Sequence, residues 1–321
     1  MKKALFITIN DLKNKNTGGS VCSARNLSLV SEYFETDIFV INSNRLEKIF
    51  SFFFMLFPPF SVKNYWELNK QIRNNKYNLI FFDTSLLGVF TRHIAKKQKV
   101  NTISFFHNVE YDYLSVRFGK KIIKYPYLIL ALINEKLTLK YSSSTIALST
   151  RDKLRLSELY GRTAKYIIPI TLETKVQKKL IVSEHKKHQT DSPNLLFVGS
   201  LNRSNYISAV WFVDQVMPHI KSATLLIVGK GFENKSDELT RHNVRVIGTV
   251  DNLDRFYYQS RCVISPIFEG AGMKVKTAEA MMYGKTIYGT KEAFEGYDVD
   301  YEKINKLTME IVETAWGEQH E

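Results

Sequence analysis

The sequence predicts an α/β protein with two domains, each built on a doubly wound parallel sheet. Short apolar runs rich in Ile, Val and Phe alternate with amphipathic, helix-like stretches, which is the pattern of a parallel sheet covered on both faces. A chain of 321 residues also exceeds what one hydrophobic core usually organises. A polar stretch at residues 171–193 separates the two series. We therefore expect one domain at residues 1–170 and the other at residues 194–321.

The elements of each domain follow from hydrophobic periodicity and from the positions of glycine and proline. In the first domain we predict strands at 3–9, 36–41, 78–83, 101–106 and 144–149, and helices at 20–33, 62–76, 86–98, 120–141 and 150–160. In the second we predict strands at 194–199, 223–229, 244–248, 262–266 and 286–289, and helices at 205–217, 251–259, 274–283 and 302–315. Ligands of such sheets bind beyond the carboxyl ends of the strands, so we expect the site in a cleft between the domains.

Composition excludes several classes of protein. The two cysteines, Cys22 and Cys262, form no motif, so neither a disulfide framework nor a zinc site is predicted. The apolar run at the start of the chain is shorter than a signal peptide requires. No run reaches the roughly 18 apolar residues of a spanning helix. We expect a cytoplasmic protein that does not cross a membrane.

The positive charge is concentrated in the first domain. Residues 1–170 contain 26 Lys and Arg against 12 Asp and Glu, a net charge of +14, whereas residues 171–321 contain 19 against 20, a net charge of −1. This asymmetry indicates an anionic partner for the first domain. A basic surface that only improves solubility is the alternative.

The most informative segment is SPIFEGAGMKVKTAEAMMYGKTIYGT, residues 265–290. A strand is followed by a turn containing Gly270 and Gly272 and then by a helix, an arrangement that lets a phosphate approach backbone N–H groups. At 100° per residue, Gly272, Lys276, Glu279 and Tyr283 fall on one stripe of that helix. Lys276 is then placed to neutralise a diphosphate, and Glu279 to accept hydrogen bonds from a ribose diol. An ordinary surface ion pair is the alternative interpretation.

This segment resembles the donor-binding signature of family 4 glycosyltransferases of the GT-B fold, in the variant G-A-G-x-K-x-K-x-x-E-A-M-x-x-G. Residues 198–220, 244–257 and 292–297 match the same family in order and spacing. The resemblance implies two Rossmann-like domains facing a cleft and a retaining transferase that moves a sugar from a nucleotide-diphosphate sugar to a hydroxyl, without a metal or other cofactor. It implies donor contacts from Gly199, Arg203, Gly270, Gly272, Met273, Lys274, Lys276 and Glu279, and a catalytic part for Glu279.

The chain departs from the family pattern at two places. The first of two glutamates falls on Ala271, and whether Glu269 replaces it stays open. Family members with Arg and Lys after the first strand of the second domain would place them at Ser200 and Asn205, neither of which is basic. The countercharge for a diphosphate must then come from elsewhere, and we rank Lys276 first among Arg203, Lys274 and Lys276.

In the first domain, two segments are candidates for the other side of the site. Gly18 and Gly19 resemble the glycine loop of the family, although the stretch also fits a flexible turn, and Ser20 is placed to cap the helix that follows. His107 follows the predicted fourth strand. The resemblance implies that His107 contacts the sugar near the reacting carbon, positions it and supports a developing oxocarbenium ion; a histidine satisfied in the core is the alternative. Asn108 and Glu110 are candidates for acceptor contacts.

Two segments of the first domain, residues 45–66 and 117–141, mix basic and aromatic side chains with apolar ones. That composition is typical of segments at a membrane interface, with packing in the core as the alternative. The family resemblance adds a lipid-linked glycan acceptor. We expect a peripheral protein on the inner face of the cell membrane, bound to anionic lipid, and no nucleic-acid partner, because no motif of an RNA- or DNA-binding module is present.

The interpretation of the whole sequence is a glycosyltransferase of surface polysaccharide synthesis. A nucleotide-sugar epimerase of similar architecture and a catalytically silent subunit that stabilises a partner transferase remain alternatives. The missing first glutamate favours the silent subunit, as does a second domain that ends sooner after the glycine–lysine helix than the family usually does. The nucleotide base, the sugar, the acceptor and the linkage stay open.

Overall fold

The computed structural model describes residues 2–13, 17–118, 122–172 and 194–298. These residues divide into two compact units. The first comprises the described residues up to Thr171 together with Ala271–Met273, and the second comprises those of Leu172–Gly270 and those from Lys274 onward. Residues 173–193 of the predicted connection and the predicted helix at 302–315 lie outside the described residues.

The first unit contains a six-stranded parallel sheet. Its strands are β1 Lys3–Thr8, β2 Glu35–Val40, β3 Leu79–Phe82, β4 Asn101–Phe106, β5 Ser144–Ala147 and β6 Tyr166–Ile167. Their order across the sheet is β2-β1-β3-β4-β5-β6, and every neighbouring pair is parallel. The five predicted strands are present within about two residues of their predicted ends, and β6 is an additional short edge strand.

Seven helices accompany this sheet in the described residues. They are α1 Gly18–Tyr33, α2 Arg45–Phe53, α3 Val62–Asn74, α4 Gly88–Lys97, α5 Glu110–Phe118, α6 Tyr125–Tyr141 and α7 Thr150–Tyr160. The predicted helix at 120–141 is shorter than expected, because a 3-10 turn at Ile122–Lys124 precedes α6. Helices α2 and α5 were not predicted. None of the helices in the described ranges has the length and hydropathy needed to cross a bilayer.

The second unit contains a five-stranded parallel sheet. Its strands are β7 Asn194–Val198, β8 Thr224–Val228, β9 Val244–Gly248, β10 Ser260–Ser265 and β11 Thr286–Gly289, in the order β11-β10-β7-β8-β9. Its α-helices are α8 Arg203–Gln215, α9 Ser236–Leu239, α10 Asp254–Gln259 and α11 Val275–Met282. The strands match the predicted ones closely, and only the short α9 was not expected among the described helices.

Both faces of this second sheet are buried. Leu195 and Phe197 of β7 pack into one apolar cluster with α8, whereas the alternating residues Leu196 and Val198 pack into another with α10 and α11. Because successive side chains of a strand point to opposite faces, two clusters on alternate residues require cover on both sides. The doubly wound architecture predicted from the sequence is confirmed.

Candidate functional site

The first unit gathers polar side chains where three neighbouring strands end. His107 follows β4, Asp83 follows β3 and Thr8 ends β1, and these strands are adjacent in the sheet. The Nε2 atom of His107 lies 3.1 Å from Oδ1 of Asp83 and 3.1 Å from its backbone oxygen. Asp83 is fully buried, and its carboxylate also accepts hydrogen bonds of 2.8 Å from Thr8 Oγ1 and from Asn26 Nδ2. We call these four residues the His107 cluster.

The environment of His107 determines its charge. Burial lowers the pKa of His107, but the negative charge of Asp83 and hydrogen bonds with Asp83 and Cys22 outweigh burial and place that pKa well above its ordinary value. This environment favours the protonated, imidazolium form of His107. Its ion pair with a fully buried carboxylate makes the pair neutral overall. A protonated ring can donate hydrogen bonds and cannot act as a general base.

Asp83 can be tested as the source of this charge. We expect Asp83→Asn to lower the pKa of His107, because the substitution removes the negative charge and keeps an oxygen that accepts from the ring, while burial continues to favour the neutral form. The measurement is an NMR titration of the histidine ring protons. His93, whose pKa is lowered by burial and by Arg73 and Lys97, serves as an internal control and should not shift. A His107 titration that is unchanged would show that Asp83 does not control its charge.

The loop after His107 is held by Glu135, a buried glutamate of α6. Oε1 of Glu135 accepts from the backbone N–H of Glu110 at 2.9 Å, and Oε2 accepts from that of Tyr111 at 3.2 Å. These bonds satisfy the first N–H groups of α5, which explains why the helix begins at Glu110. Burial and the charge of Glu110 raise the pKa of Glu135 to about 8. Glu135 thereby positions the segment containing Asn108 and Glu110.

The predicted acceptor candidates Asn108 and Glu110 lie next to one another. Asn108 Nδ2 is 3.5 Å from Glu110 Oε1, at the outer limit of a hydrogen bond. Burial raises the pKa of Glu110. Both side chains are partly accessible, so they remain candidates for contact with a ligand.

Gly18 and Gly19 form the first turn of α1 instead of preceding it. Thr17, and not Ser20, is the N-cap, and its side chain accepts from the backbone N–H of Ser20. Ser20 still takes part in capping, because its hydroxyl accepts from the backbone N–H of Thr17 at 3.1 Å. A Cβ atom on Gly19 would lie 3.1 Å from Oδ1 of Asn10. Gly19 therefore permits close packing of the chain segment that leaves β1.

In the second unit, Lys276 and Glu279 of α11 each bond a partner distant in sequence. Lys276 Nζ donates to Oδ1 of Asn205 at 2.8 Å and lies 4.8 Å from the ring centre of Phe197. Glu279 Oε2 accepts from the hydroxyl of the fully buried Tyr257 at 2.9 Å. We call Lys276, Asn205, Glu279 and Tyr257 the Lys276 cluster. Lys276 and Glu279 are thus each held by a residue outside α11, which the interpretation as an ordinary surface ion pair does not explain.

The three predicted countercharges have different partners. Arg203 Nε pairs with Glu269 Oε1 at 2.9 Å, and Lys274 Nζ pairs with Glu292 Oε1 at 2.9 Å. Lys276, in contrast, bonds a neutral amide. Burial, reinforced by the nearby charge of Lys274, lowers the pKa of Lys276 to about 7. Of these three side chains, Lys276 is therefore the one whose charged form an incoming anion would stabilise most.

Asn205 connects Lys276 to the loop after β7. Its Nδ2 donates to the Ser200 carbonyl at 2.8 Å while its Oδ1 accepts from Lys276. A Cβ atom on Gly199 would lie 2.7 Å from Asn205 Nδ2, so the glycine is needed for this packing. Asn205 occupies the position where the family pattern would place a lysine, and here the amine of Lys276 reaches it instead.

The stripe predicted along the nucleotide helix is only partly correct. The helix begins at Val275, and Gly272 lies outside it with a left-handed φ of +65°, a conformation that favours glycine. Tyr283 also lies outside, as the C-cap, and its hydroxyl bonds Asp254. Lys276 and Glu279 remain one turn apart in α11. Of the other predicted donor residues, Gly270 lies two positions before Gly272, and Met273 is buried.

The residues that the structure describes contain no candidate metal site. Among residues 2–13, 17–118, 122–172 and 194–298, no three His, Cys, Asp or Glu side chains are grouped as ligands of one ion. The available binding chemistry is hydrogen bonding and cationic side chains.

Comparison with a protein-family model adds evidence for the second unit. Residues 192–299 match the family described as glycosyl transferases group 1. The matched range contains all four residues of the Lys276 cluster. It also contains both ion pairs described above.

A curated relative is a protein described as an uncharacterized 44.6 kDa protein in the cps region of Klebsiella pneumoniae. It is 25% identical over 259 residues, which is 75% of this chain. The alignment spans 64% of the length of that relative.

Two solved structures resemble nearly the whole chain. Sucrose-phosphate synthase from Thermosynechococcus elongatus aligns with a TM-score of 0.71 at 15% identity, over 98% of this chain and 91% of that one. The Anabaena protein Alr3699/HepE in complex with UDP-glucose aligns with a TM-score of 0.64 at 15% identity, over the same shares. The chain therefore has the GT-B fold, and its second unit is similar to group 1 glycosyl transferases.

Proposed function

We propose that this protein is a glycosyltransferase that takes a sugar from a nucleotide-diphosphate sugar. The observation that carries the proposal is the Lys276 cluster, which lies wholly within the range that matches group 1 glycosyl transferases. It offers a cation, Lys276, that has no acidic hydrogen-bond partner in the part of the chain that the structure describes, and the Glu279 carboxylate one helical turn away. A structure of the same fold, that of Alr3699/HepE, contains UDP-glucose.

The two charged groups of the cluster have separate roles in this proposal. Lys276 neutralises the diphosphate, because its ammonium group is partly buried and, among the described residues, hydrogen-bonds an amide oxygen and no carboxylate. Glu279 accepts hydrogen bonds from the ribose diol, while its other contact, with Tyr257, holds the carboxylate in place. Arg203 and Lys274 have carboxylate partners of their own, and we assign them a smaller share of the countercharge.

We assign His107 to the sugar. Because Asp83 favours the protonated form of the ring, we do not assign the support of a developing oxocarbenium ion to the ring itself. We retain the positioning role: the imidazolium donates a hydrogen bond to the sugar. The nucleophile is then the acceptor hydroxyl. A retaining, metal-independent reaction is consistent with this set of groups.

We further propose that the acceptor is a lipid-linked glycan in surface polysaccharide synthesis and that the protein works at the inner face of the cell membrane. The relative encoded in a cps region supports the polysaccharide role. The net charge of +14 on residues 1–170, from 26 basic against 12 acidic residues, supports contact with anionic lipid.

The donor assignment is tested first by thermal denaturation with UDP, GDP and their sugars. A ligand present at 100 times its Kd stabilises the folded protein by about 2.7 kcal/mol, so one nucleotide series should raise the Tm clearly above the others. Turnover is then measured with the stabilising donor and glycan-lipid acceptors. Epimerisation without transfer would favour the epimerase alternative, and binding without any turnover would favour the silent subunit.

The pH dependence of nucleotide binding tests Lys276 directly. Its pKa is about 7 in the folded protein against an ordinary value of 10.5, so the free protein releases this proton above about pH 7 and a bound diphosphate recovers it. We therefore expect affinity to fall as the pH rises from about 7 to about 8.5, by up to tenfold per unit. Calorimetry should detect proton uptake on binding. In Lys276→Met, affinity should be low and the pH dependence lost; a slope that persists in this variant would contradict the assignment.

The same shift has a consequence for stability. The unfolded chain keeps the Lys276 proton up to about pH 10.5, whereas the folded chain loses it near pH 7. Because the unfolded state binds more protons in this window, the contribution of Lys276 to the free energy of unfolding rises with pH. In the absence of nucleotide, Lys276→Met should remove that rise.

A further inference from the structure

Helix α2 exposes its apolar face to solvent. Leu46, Ile49, Phe50 and Phe53 lie at the i, i+3, i+4 and i+7 positions of one helical stripe, and their exposed fractions range from 53% to 79%. Ser51 is the buried residue of the helix. A helix of a globular protein normally turns such a stripe towards the core, so the arrangement of α2 is the reverse of the usual one.

A second exposed apolar segment precedes the helix that α2 contacts. The rings of Phe52 in α2 and Tyr127 in α6 meet edge to face at 4.8 Å, so the two helices lie against each other. The turn before α6 carries Ile122 and Ile123, which are 79% and 82% exposed. We call Leu46, Ile49, Phe50, Phe53, Ile122 and Ile123 the α2 surface. Exposed apolar patches of this kind mark interaction sites.

Basic side chains surround the α2 surface. Arg45 and Lys48 are exposed on α2 itself, and Lys63 of α3 lines a groove with Phe50. Lys124 follows Ile123, and its Nζ lies 5.1 Å from the ring centre of Tyr127. The acidic residues of α2 and α3 are Glu47 and Glu67. Glu47 accepts a hydrogen bond from the backbone N–H of Asn44 at 3.0 Å in the cap of α2, and Glu67 pairs with Lys63 at 4.0 Å.

This combination identifies the occupant of the surface. A second copy of the chain, placed symmetrically on the same face, would bring identical cations together. A bilayer containing anionic lipid satisfies both features, because apolar side chains enter the boundary between headgroups and acyl chains while the cations contact phosphate. We propose that the α2 surface inserts into the interface of an anionic membrane, with Phe50 and Phe53 as the main apolar anchors.

The proposal deepens the membrane location proposed above and rests on it, but its test requires no sugar transfer. The probe is vesicles of phosphatidylcholine with and without phosphatidylglycerol, incubated with the full chain and sedimented. We expect Phe50→Gln/Phe53→Gln to lower binding to the anionic vesicles at least tenfold. The matched control is Tyr33→Gln/Leu154→Gln, which removes two equally exposed apolar side chains from α1 and α7 and should bind as the unmodified protein does. Because all four side chains are exposed, both variants should fold.

Insertion has its own readout. The two native cysteines are buried, so Phe53→Cys can be labelled selectively with an environment-sensitive fluorophore. We expect a blue shift on adding anionic vesicles and quenching by brominated acyl chains, and neither change with the label at Leu154→Cys. Binding that salt abolishes but the Phe50/Phe53 variant leaves unchanged would overturn insertion. So would a lack of vesicle binding, or a concentration-dependent dimer that the variant dissociates.

Nucleotide affinity of the same variants separates this inference from the proposed activity. Unchanged donor binding together with lost vesicle binding is the result we expect. Vesicle insertion without any nucleotide binding would leave the α2 surface intact as a membrane contact and would refute the transferase. Nucleotide binding without insertion would refute only the α2 surface.

Discussion

His107→Ala is expected to lower the rate of sugar transfer by at least about 100-fold, equivalent to about 2.7 kcal/mol in the activation free energy, while nucleotide affinity stays within about threefold. The imidazolium of His107 is fixed by Asp83 at 3.1 Å, and Asp83 is fixed in turn by Thr8 and Asn26. A donor held in this way acts on a reacting group without reorganisation. Nucleotide binding should be spared because the Lys276 cluster belongs to the other unit.

A second substitution separates the chemistry of His107 from its structural part. His107→Gln keeps a hydrogen-bond donor and removes the positive charge, so its rate should lie between those of the unmodified protein and His107→Ala. Far-UV circular dichroism and thermal denaturation check that both variants fold. If transfer by His107→Ala remains within about threefold of the unmodified protein, His107 has no part in the reaction, and the ring is a satisfied polar group at the end of β4.

The sequence predicted the strands far better than it predicted the His107 cluster. An apolar run such as residues 101–106 has a clear pattern, and β4 occupies the predicted residues. Asp83, in contrast, was visible only as the last residue of a predicted strand. Its role depends on Thr8 and His107, which are 75 and 24 positions away, and such contacts exist only once β1, β3 and β4 are side by side.

Helix boundaries show the same limit. Helix α5 begins where Glu135, from α6, accepts the backbone N–H groups of Glu110 and Tyr111, so its cap lies 25 residues away along the chain. Helix α2 has a local cap, Asn44 with Glu47, but its apolar stripe was assigned to a membrane interface without a defined structure. Both helices were missed because the deciding contact or orientation is tertiary.

In the second unit, the sequence predicted the spacing of Lys276 and Glu279 along one helix but not their contacts. Helical periodicity placed Lys276 and Glu279 on one face, and they are one turn apart in α11. Lys276 hydrogen-bonds Asn205, which is 71 positions away and occupies the position where the family pattern has a lysine. The sequence alone shows no basic residue there, and in the structure the amine of Lys276 lies 2.8 Å from the Asn205 side chain.

The corresponding prediction is that Glu279→Ala weakens nucleotide binding by about 1.5–3 kcal/mol, the range for hydrogen bonds to a charged group, which is roughly a 10- to 150-fold rise in Kd. Within the described ranges the carboxylate accepts one hydrogen bond, from Tyr257 at 2.9 Å, so acceptor capacity remains for a diol. Glu279→Gln keeps one acceptor oxygen and should fall between. Calorimetry with the nucleotide chosen by thermal denaturation gives the comparison.

Tyr257→Phe is the matched control for this prediction, because it removes the same intramolecular hydrogen bond and leaves the Glu279 carboxylate in place. The buried ring of the variant keeps its stacking on Tyr283, at 4.5 Å between ring centres. If Glu279 binds the diol itself, Tyr257→Phe should therefore raise Kd much less than Glu279→Ala does. Equal losses in the two variants would mean that the Tyr257–Glu279 bond supports the structure of α11 and that Glu279 does not contact the donor. An unchanged Kd in Glu279→Ala would show that Glu279 has no part in nucleotide binding.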